Sequence, residues 1–240
     1  MFSPEGPSLR ELAVQALSSV ERGYDLLAPK FDVTPFRTPD SVLDATASAL
    51  HRTGPFEAGL DLCCGTGAGI GVLTRVCRER VTGVDFSAGM LDVARRRTWP
   101  EGPPVGWVRA DARALPFGPV FDLVVSFGAF GHFLPRERPE LFAQVRSVLR
   151  PGGRFVFPVV APARPGSLEY LMLLGFDTAM RVRNAIWRPP FVMYYRALRF
   201  SALGRELTEA GFHVELQPLP EFGHREDGSP RVRLVVAIRT

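Results

Sequence analysis

Residues 59-GLDLCCGTGAG-69 set a short apolar run directly against a glycine-rich turn. The run from Gly59 to Cys63 predicts a buried strand, and Gly65-Thr66-Gly67-Ala68 predicts the turn into a helix that starts near Gly69. Glycines at such a turn let the backbone approach a ligand with no Cβ in the way, beside the partial positive charge of a helix N-terminus. Alone the loop is weakly specific, because strand-to-helix glycine turns serve nicotinamide, flavin and nucleotide ligands alike.

The same texture extends outward from the loop. Short apolar runs with little polar alternation recur at Val81 to Asp85, Gly106 to Ala110, Phe121 to Phe127, Arg154 to Val160, His213 to Leu216 and Arg231 to Ile238. Such runs suit parallel strands covered by helices on both faces, so the fold class is α/β. Helices are predicted at about Gly69 to Arg78, Ala88 to Arg97, Pro139 to Leu149 and Leu203 to Ala210, with Pro151-Gly152-Gly153 and Gly211 as stops. Upstream, Leu9, Leu12, Ala13, Ala16, Leu17, Val20, Tyr24 and Leu27 keep the period of one amphipathic helix, and Ser41 to Leu50 reads as a second. From Ala161 to Phe200 the alternation stops; strands resume beyond it, so this segment reads as an insertion in one domain.

Acidic residues follow the loop at strand ends. Asp85 closes the second strand, where a carboxylate can accept both hydroxyls of a ribose, each charge-assisted bond contributing about 1.5–3 kcal/mol. The plainer alternative is a solvated Asp capping the helix that starts at Ser87. Asp111 follows the third strand and discriminates between ligands. A nicotinamide dinucleotide places its pyrophosphate on the helix N-terminus, whereas an adenosine without phosphates needs an acceptor for its exocyclic amine.

The stretches 59-GLDLCCGTGAG-69, 81-VTGVDFSAGML-91, 108-VRADARALPF-117, 121-FDLVVSFGAFGHF-133 and 148-VLRPGGRFVF-157 resemble, in order and spacing, the successive motifs of class I S-adenosylmethionine-dependent methyltransferases. Cys63 stands where the commonest form of the loop has its first glycine, and the double cysteine is similar to that of ubiquinone/menaquinone C-methyltransferases. The resemblance implies a Rossmann-like, seven-stranded, mostly parallel sheet with an antiparallel last strand. It implies S-adenosylmethionine as cofactor and S-adenosylhomocysteine as product. It further implies roles: Asp61, Cys63, Gly65, Thr66 and Gly67 along the methionine end, Asp85 on the ribose, Phe86 and Met90 beside the adenine, and Asp111 on the adenine amine. The Ala112 backbone N–H would meet a ring nitrogen, and Phe127 completes the expected cofactor set. Tyr24 reads equally as core packing or as part of the N-terminal lid that the family often places over its cofactor. The implied division is a helical lid at 1–58, the cofactor-binding core at 59–160, a cap over the acceptor at 161–200 and completion of the sheet at 201–240.

Methyl transfer is an in-line displacement that mainly requires alignment and exclusion of water. His132, just past the carboxyl end of the fourth strand, is the candidate general base, its alternative being an ordinary hydrogen-bonding loop histidine. The Cys63-Cys64 pair reads as small core residues at a strand end rather than as nucleophiles. In the insertion, Trp187, Phe191, Tyr194 and Tyr195 are the candidate acceptor-binding residues; a plain helical hairpin with core aromatics and solvated arginines is the alternative.

The chain has 240 residues, 46% of them hydrophobic, which suffices for a core without disulfides or structural metal. Three cysteines, without zinc spacing, fit a reducing compartment, and the absence of a basic, apolar leader or a long apolar run predicts a soluble, cytoplasmic protein with no metal. The net charge of +4 lies wholly in residues 161–200, where Arg164, Arg181, Arg183, Arg188, Arg196 and Arg199 face Glu169 and Asp177; the rest carries 23 basic and 23 acidic groups. The sequence carries no attached recognition domain and no N/D-P-P-Y/F-type motif after the fourth strand, which argues against nucleic acid as partner. The placement of the charge points to a small apolar or aromatic acceptor, anionic and amphiphilic, or to transient contact with an anionic membrane surface. The competing classes are a nicotinamide-dependent oxidoreductase, opposed by Asp111 and the later motifs, and a non-catalytic S-adenosylmethionine-binding partner protein. Nothing in the sequence speaks to oligomeric state.

Overall fold

The computed structural model describes residues 5–99, 102–194 and 200–240. Its seven strands are β1 (Phe56–Leu62), β2 (Cys77–Asp85), β3 (Val105–Arg109), β4 (Phe121–Val125), β5 (Leu149–Val160), β6 (Phe212–Pro218) and β7 (Val232–Arg239). They form one sheet in the order β3-β2-β1-β4-β5-β7-β6. β1 pairs in parallel with β2 through Gly59↔Val81 and with β4 through Gly59↔Leu123. β7 is antiparallel to both β5 and β6, so it alone runs against the other strands. The sheet class, strand number and antiparallel last strand match the expectation.

The apolar runs of the central strands lack polar alternation because these strands are covered on both faces. Leu60, Leu62, Phe121, Phe155 and Phe157 face one core with Phe142 and Val145 of α6 (Arg138–Val148). Leu123, Val125 and Val156 face the other with Ile70, Val72 and Leu73 of α4 (Ala68–Val76). The chain runs from β1 outward to β2 and β3, then returns to β4 on the opposite side of β1. This reversal opens a crevice at the strands' carboxyl ends, between the loops that follow β1 and β4. α5 (Ala88–Arg95) joins β2 to β3, and α8 (Phe200–Glu209) precedes β6.

At the N-terminus the single predicted helix is two, α1 (Leu9–Leu17) and α2 (Val20–Leu27). Ser18 is extended, and the Ser19 hydroxyl accepts the Arg22 N–H, so a new N-cap interrupts an apolar period that continues across it. A 3-10 turn at Ala28–Val33 leads to α3 (Asp40–His51). Pro151-Gly152-Gly153 does not separate helix from strand as expected: β5 already begins at Leu149, and the register with β4 shifts between Phe121 and Leu123 to absorb these residues. The insertion contains one long helix, α7 (Leu168–Ile186), capped by Ser167, and a returning segment through Tyr194. The Asn184 side chain accepts from Phe191 N and donates to Phe191 O and the Tyr194 hydroxyl, tying that segment to the helix.

Candidate active site

The turn after β1 gives the crevice its floor. Cys63 holds a left-handed backbone (φ 56°), Gly67 caps α4 at φ 92°, and a Cβ on Gly69 would stand 2.5 Å from the Asp61 carboxylate. The glycine therefore permits the helix start to close over Asp61, where the nearby Gly69 and Ile70 N–H groups favour the charged carboxylate. Asp61 Oδ2 is nevertheless buried without a partner, and burial, then the neighbouring Asp85, raises its pKa well above the usual carboxylate range. Asp85 is also buried; its Oδ2 accepts Gly65 N–H at 2.8 Å and its Oδ1 accepts Ser87 N–H at 2.9 Å. Burial raises its pKa against those bonds. A pair of buried carboxylates of this kind is stabilised in its charged form by a cationic ligand.

Asp111 stands at the far end of the crevice. Arg113 holds it through its Nε and Nη2 and by its own backbone N–H, which lowers the Asp111 pKa, and Arg113 also reaches Glu137 at 2.7 Å. Met90 and Ala112 are buried in the wall, with Phe86 and Phe127 partly exposed beside them.

The N-terminal segment covers the crevice. Val20 and Tyr24 of α2 and Phe31, Phe36 and Arg37 after it complete a cavity of about 280 Å³, close to the size that holds one small organic molecule. Three acids anchor this segment to the core. Asp25 Oδ1 accepts the Ser87 hydroxyl at 2.6 Å and Gly89 N–H at 2.9 Å, at the start of α5. Asp32 accepts the Thr66 hydroxyl at 2.7 Å and pairs with Arg97; Glu21 pairs with Arg109.

His132 lies in a short 3-10 turn after β4, and its ring meets Val192 O through Nδ1 at 2.7 Å and the Tyr24 hydroxyl through Nε2 at 2.8 Å. A carbonyl oxygen only accepts, so Nδ1 carries the proton; Nε2 of the neutral ring then accepts the Tyr24 O–H. Burial lowers the His132 pKa, and the Val192 bond only partly opposes that shift. Cys63 and Cys64 are raised well above the usual thiol range by burial first and by the nearby aspartates second, which disfavours a thiolate.

A model of the methyltransferase domain matches residues 60–153. The ubiquinone/menaquinone biosynthesis C-methyltransferase UbiE of Desulfotalea psychrophila is 31% identical over 79% of this chain and 69% of its own length. The demethylmenaquinone methyltransferase of Thermus thermophilus is 36% identical over 68% of each chain. This chain belongs to the class I S-adenosylmethionine-dependent methyltransferases. Among solved structures, magnesium protoporphyrin IX methyltransferase of Synechocystis with bound S-adenosylhomocysteine shares the fold at a TM-score of 0.57, with 18% identity over 83% of this chain and 82% of that one.

S-adenosylmethionine is the cofactor of this methyltransferase. The site's donor set suits it: the orphaned Asp61 oxygen faces a place for a cationic group, and Asp85 and Asp111 are spread along one crevice. Of the residues expected around the cofactor, Tyr24, Asp61, Cys63, Gly65, Thr66, Asp85, Phe86, Met90, Asp111, Ala112 and Phe127 line the methyltransferase cavity, as does His132. Gly67 does not; it sits behind the wall, where a Cβ would meet the Trp99 ring at 2.7 Å. The expected acceptor residues lie elsewhere. Phe191 and Tyr194 are buried with Met180 and Met193 behind Tyr24, and Trp187 is exposed, its Nε1 donating to Leu17 O. Tyr195, Arg196 and Arg199 fall outside the described residues. From the described part of the insertion only Val192 reaches the cavity. Arg181, Arg183 and Arg188 do not line it.

Proposed function

We propose that this methyltransferase transfers a methyl group to an oxygen or carbon of a small apolar or aromatic acceptor, with His132 as general base and Tyr24 relaying the proton to it. When bound, S-adenosylmethionine supplies an electrophilic methyl on a sulfonium. Asp61 would hold the ammonium of its methionine end, Asp85 the ribose hydroxyls, and Asp111 with the Ala112 N–H the adenine edge. Phe31, Phe36, Phe133, Val20 and Val192 give the remaining space an apolar lining, which favours an apolar ring and excludes water.

The observation that carries the reading is the Tyr24–His132–Val192 chain of hydrogen bonds in the cavity wall. An acceptor hydroxyl that donates to the Tyr24 oxygen can lose its proton as Tyr24 passes its own to His132 Nε2. The Val192 carbonyl keeps its hold on Nδ1–H and steadies the imidazolium that results. Alignment in the closed cavity contributes about 7–11 kcal/mol to such a reaction, and a positioned base about 10²–10⁴-fold in rate. Relatives named as quinone methyltransferases agree with an aromatic acceptor class, and an O-methyltransferase of Penicillium expansum agrees with transfer to oxygen.

Release of S-adenosylhomocysteine from a panel of quinones, phenols, polyketide-like acids and lipids identifies the acceptor class. With that acceptor, His132→Ala is expected to lower kcat by about 10²–10⁴-fold and to leave S-adenosylhomocysteine affinity unchanged. Tyr24→Phe should lower kcat by about tenfold or more and keep the acidic limb of the pH profile. That limb has a definite sign. The folded His132 pKa lies below the ordinary value of about 6.5, so the base is neutral above pH 6.5 and turnover falls as pH drops through the lowered pKa. Its contribution to stability is likewise present above the unfolded pKa and lost toward acid. Unchanged turnover in His132→Ala, or an acidic limb that survives it, would refute the base.

A further inference from the structure

The outward face of α7 has no role in the cavity, yet it is apolar along its whole length. Leu168, Leu171, Met172, Val182 and Ile186 are exposed, Leu168 at 75% and Ile186 at 76%, and Gly175 and Ala179 fill the same stripe at three- and four-residue steps. On the opposite side of the helix Asp177 and Met180 are buried against the protein. Trp187 continues the stripe; it is 51% exposed and bonded to Leu17 O, which places it beside the exposed Leu17 and Val14 of α1. A contiguous apolar strip of this length on a monomer marks an interaction surface rather than chance exposure.

Charge decides what covers it. Arg181 and Arg188 are exposed at the C-terminal end of the strip, and among the described residues neither pairs with an acid; Arg181 instead stands 4.5 Å over the Tyr194 ring. The only exposed acid on α7 is Glu169, and the whole positive excess of the chain lies in residues 161–200. A second copy of this chain would offer these arginines a single exposed helical acid, Glu169, in antiparallel register and other arginines in parallel register. An anionic lipid surface offers apolar depth to the stripe, phosphates to the arginines and a headgroup layer to Trp187. With 19 residues at about 1.5 Å each the helix spans about 28 Å, and no helix among the described residues is long and apolar enough to cross a membrane.

We propose that α7 and Trp187 dock the protein on an anionic bilayer, the helix axis lying in the plane of the surface and its apolar stripe in the headgroup–acyl boundary. The docking stands independently of which acceptor is methylated, although the segment from Trp187 to Val192 leads directly from that face to the cavity wall.

Sedimentation of the full chain with vesicles tests it, using phosphatidylcholine alone and an equal mixture of phosphatidylcholine and phosphatidylglycerol. The mixed vesicles should bind the protein, added salt should weaken binding, and Arg188→Gln should weaken it about fivefold. Leu171→Asp and Ile186→Asp, both at exposed positions, should each weaken it by about tenfold or more while S-adenosylhomocysteine affinity is kept. Retained affinity shows that the variants fold, so loss of vesicle binding reports on the face itself. No binding to the mixed vesicles, or equal binding to both compositions, would overturn the proposal. A concentration-dependent dimer abolished by Ile186→Asp would also overturn it, in favour of a second copy.

Discussion

Cys63 is the one non-glycine with positive φ among the described residues, and it occupies the place where the family's loop usually carries its first glycine. The left-handed backbone is demanded by the turn, and a β-branched side chain tolerates it least. Cys63→Gly is therefore expected to change stability by no more than about 1 kcal/mol, strain relief offsetting lost packing, whereas Cys63→Val should cost about 1–3 kcal/mol in urea unfolding. Equal stabilities would mean that the turn does not hold that conformation. The departure at Cys63 could be read in the sequence, but its backbone could not. Asp61, Asp85 and Asp111 were legible because each stands at or just past the carboxyl end of a predicted strand, and all three fall on one edge of the sheet. Asp25 and Asp32 were not, because their partners Ser87 and Thr66 lie 62 and 34 residues away and no local pattern announces such a pairing.

At the scale of elements, strands were easier to read than the segments that roof the cavity. Burial on both faces leaves its mark in the central runs β1, β4, β5 and β7, while the split between α1 and α2 hides beneath an unbroken apolar period. That split matters, because it frees α2 to lie over the crevice with Tyr24 facing His132. Asp25 fixes α2 to the start of α5 by accepting from Ser87 and Gly89, in the place where a carboxylate also meets the helix dipole favourably. Asp25→Ala should weaken this attachment by about 1–3 kcal/mol, seen as faster hydrogen exchange across residues 20–33 with the sheet unaffected. Exchange unchanged in that stretch would show that other contacts hold the segment. The insertion was legible as an interruption rich in arginine and aromatics, but its interior was not. Burial of Phe191 and Tyr194 beneath α7 and the outward turn of Trp187 depend on Asn184 and on α1, which sequence spacing does not reveal.

For the whole molecule, the order of the strands turns these local features into one site. The reversal at β1 gathers the loop of Gly65, the strand ends at Asp85 and Asp111 and the turn of His132 around a single crevice, and the N-terminal segment closes it. The fold and the residues at the cavity floor were thus readable from ordered motifs, while the rest of the cavity wall is assembled from parts distant in sequence. Among the described arginines of the insertion, Arg164, Arg181, Arg183 and Arg188 stay outside the cavity wall, which Arg37 and Arg113 line instead. The central claim is that Asp61 and Asp85 at the cavity floor hold the cofactor. Calorimetric titration of S-adenosylhomocysteine into the wild type, Asp61→Asn and Asp85→Ala tests it without knowledge of the acceptor. Each substitution should weaken binding by about 10–100-fold, and wild-type affinity should decline as pH falls through the raised Asp61 pKa, because the protonated carboxyl no longer attracts an ammonium. Affinities within about twofold of wild type for both variants, in proteins shown to be folded, would contradict the assignment.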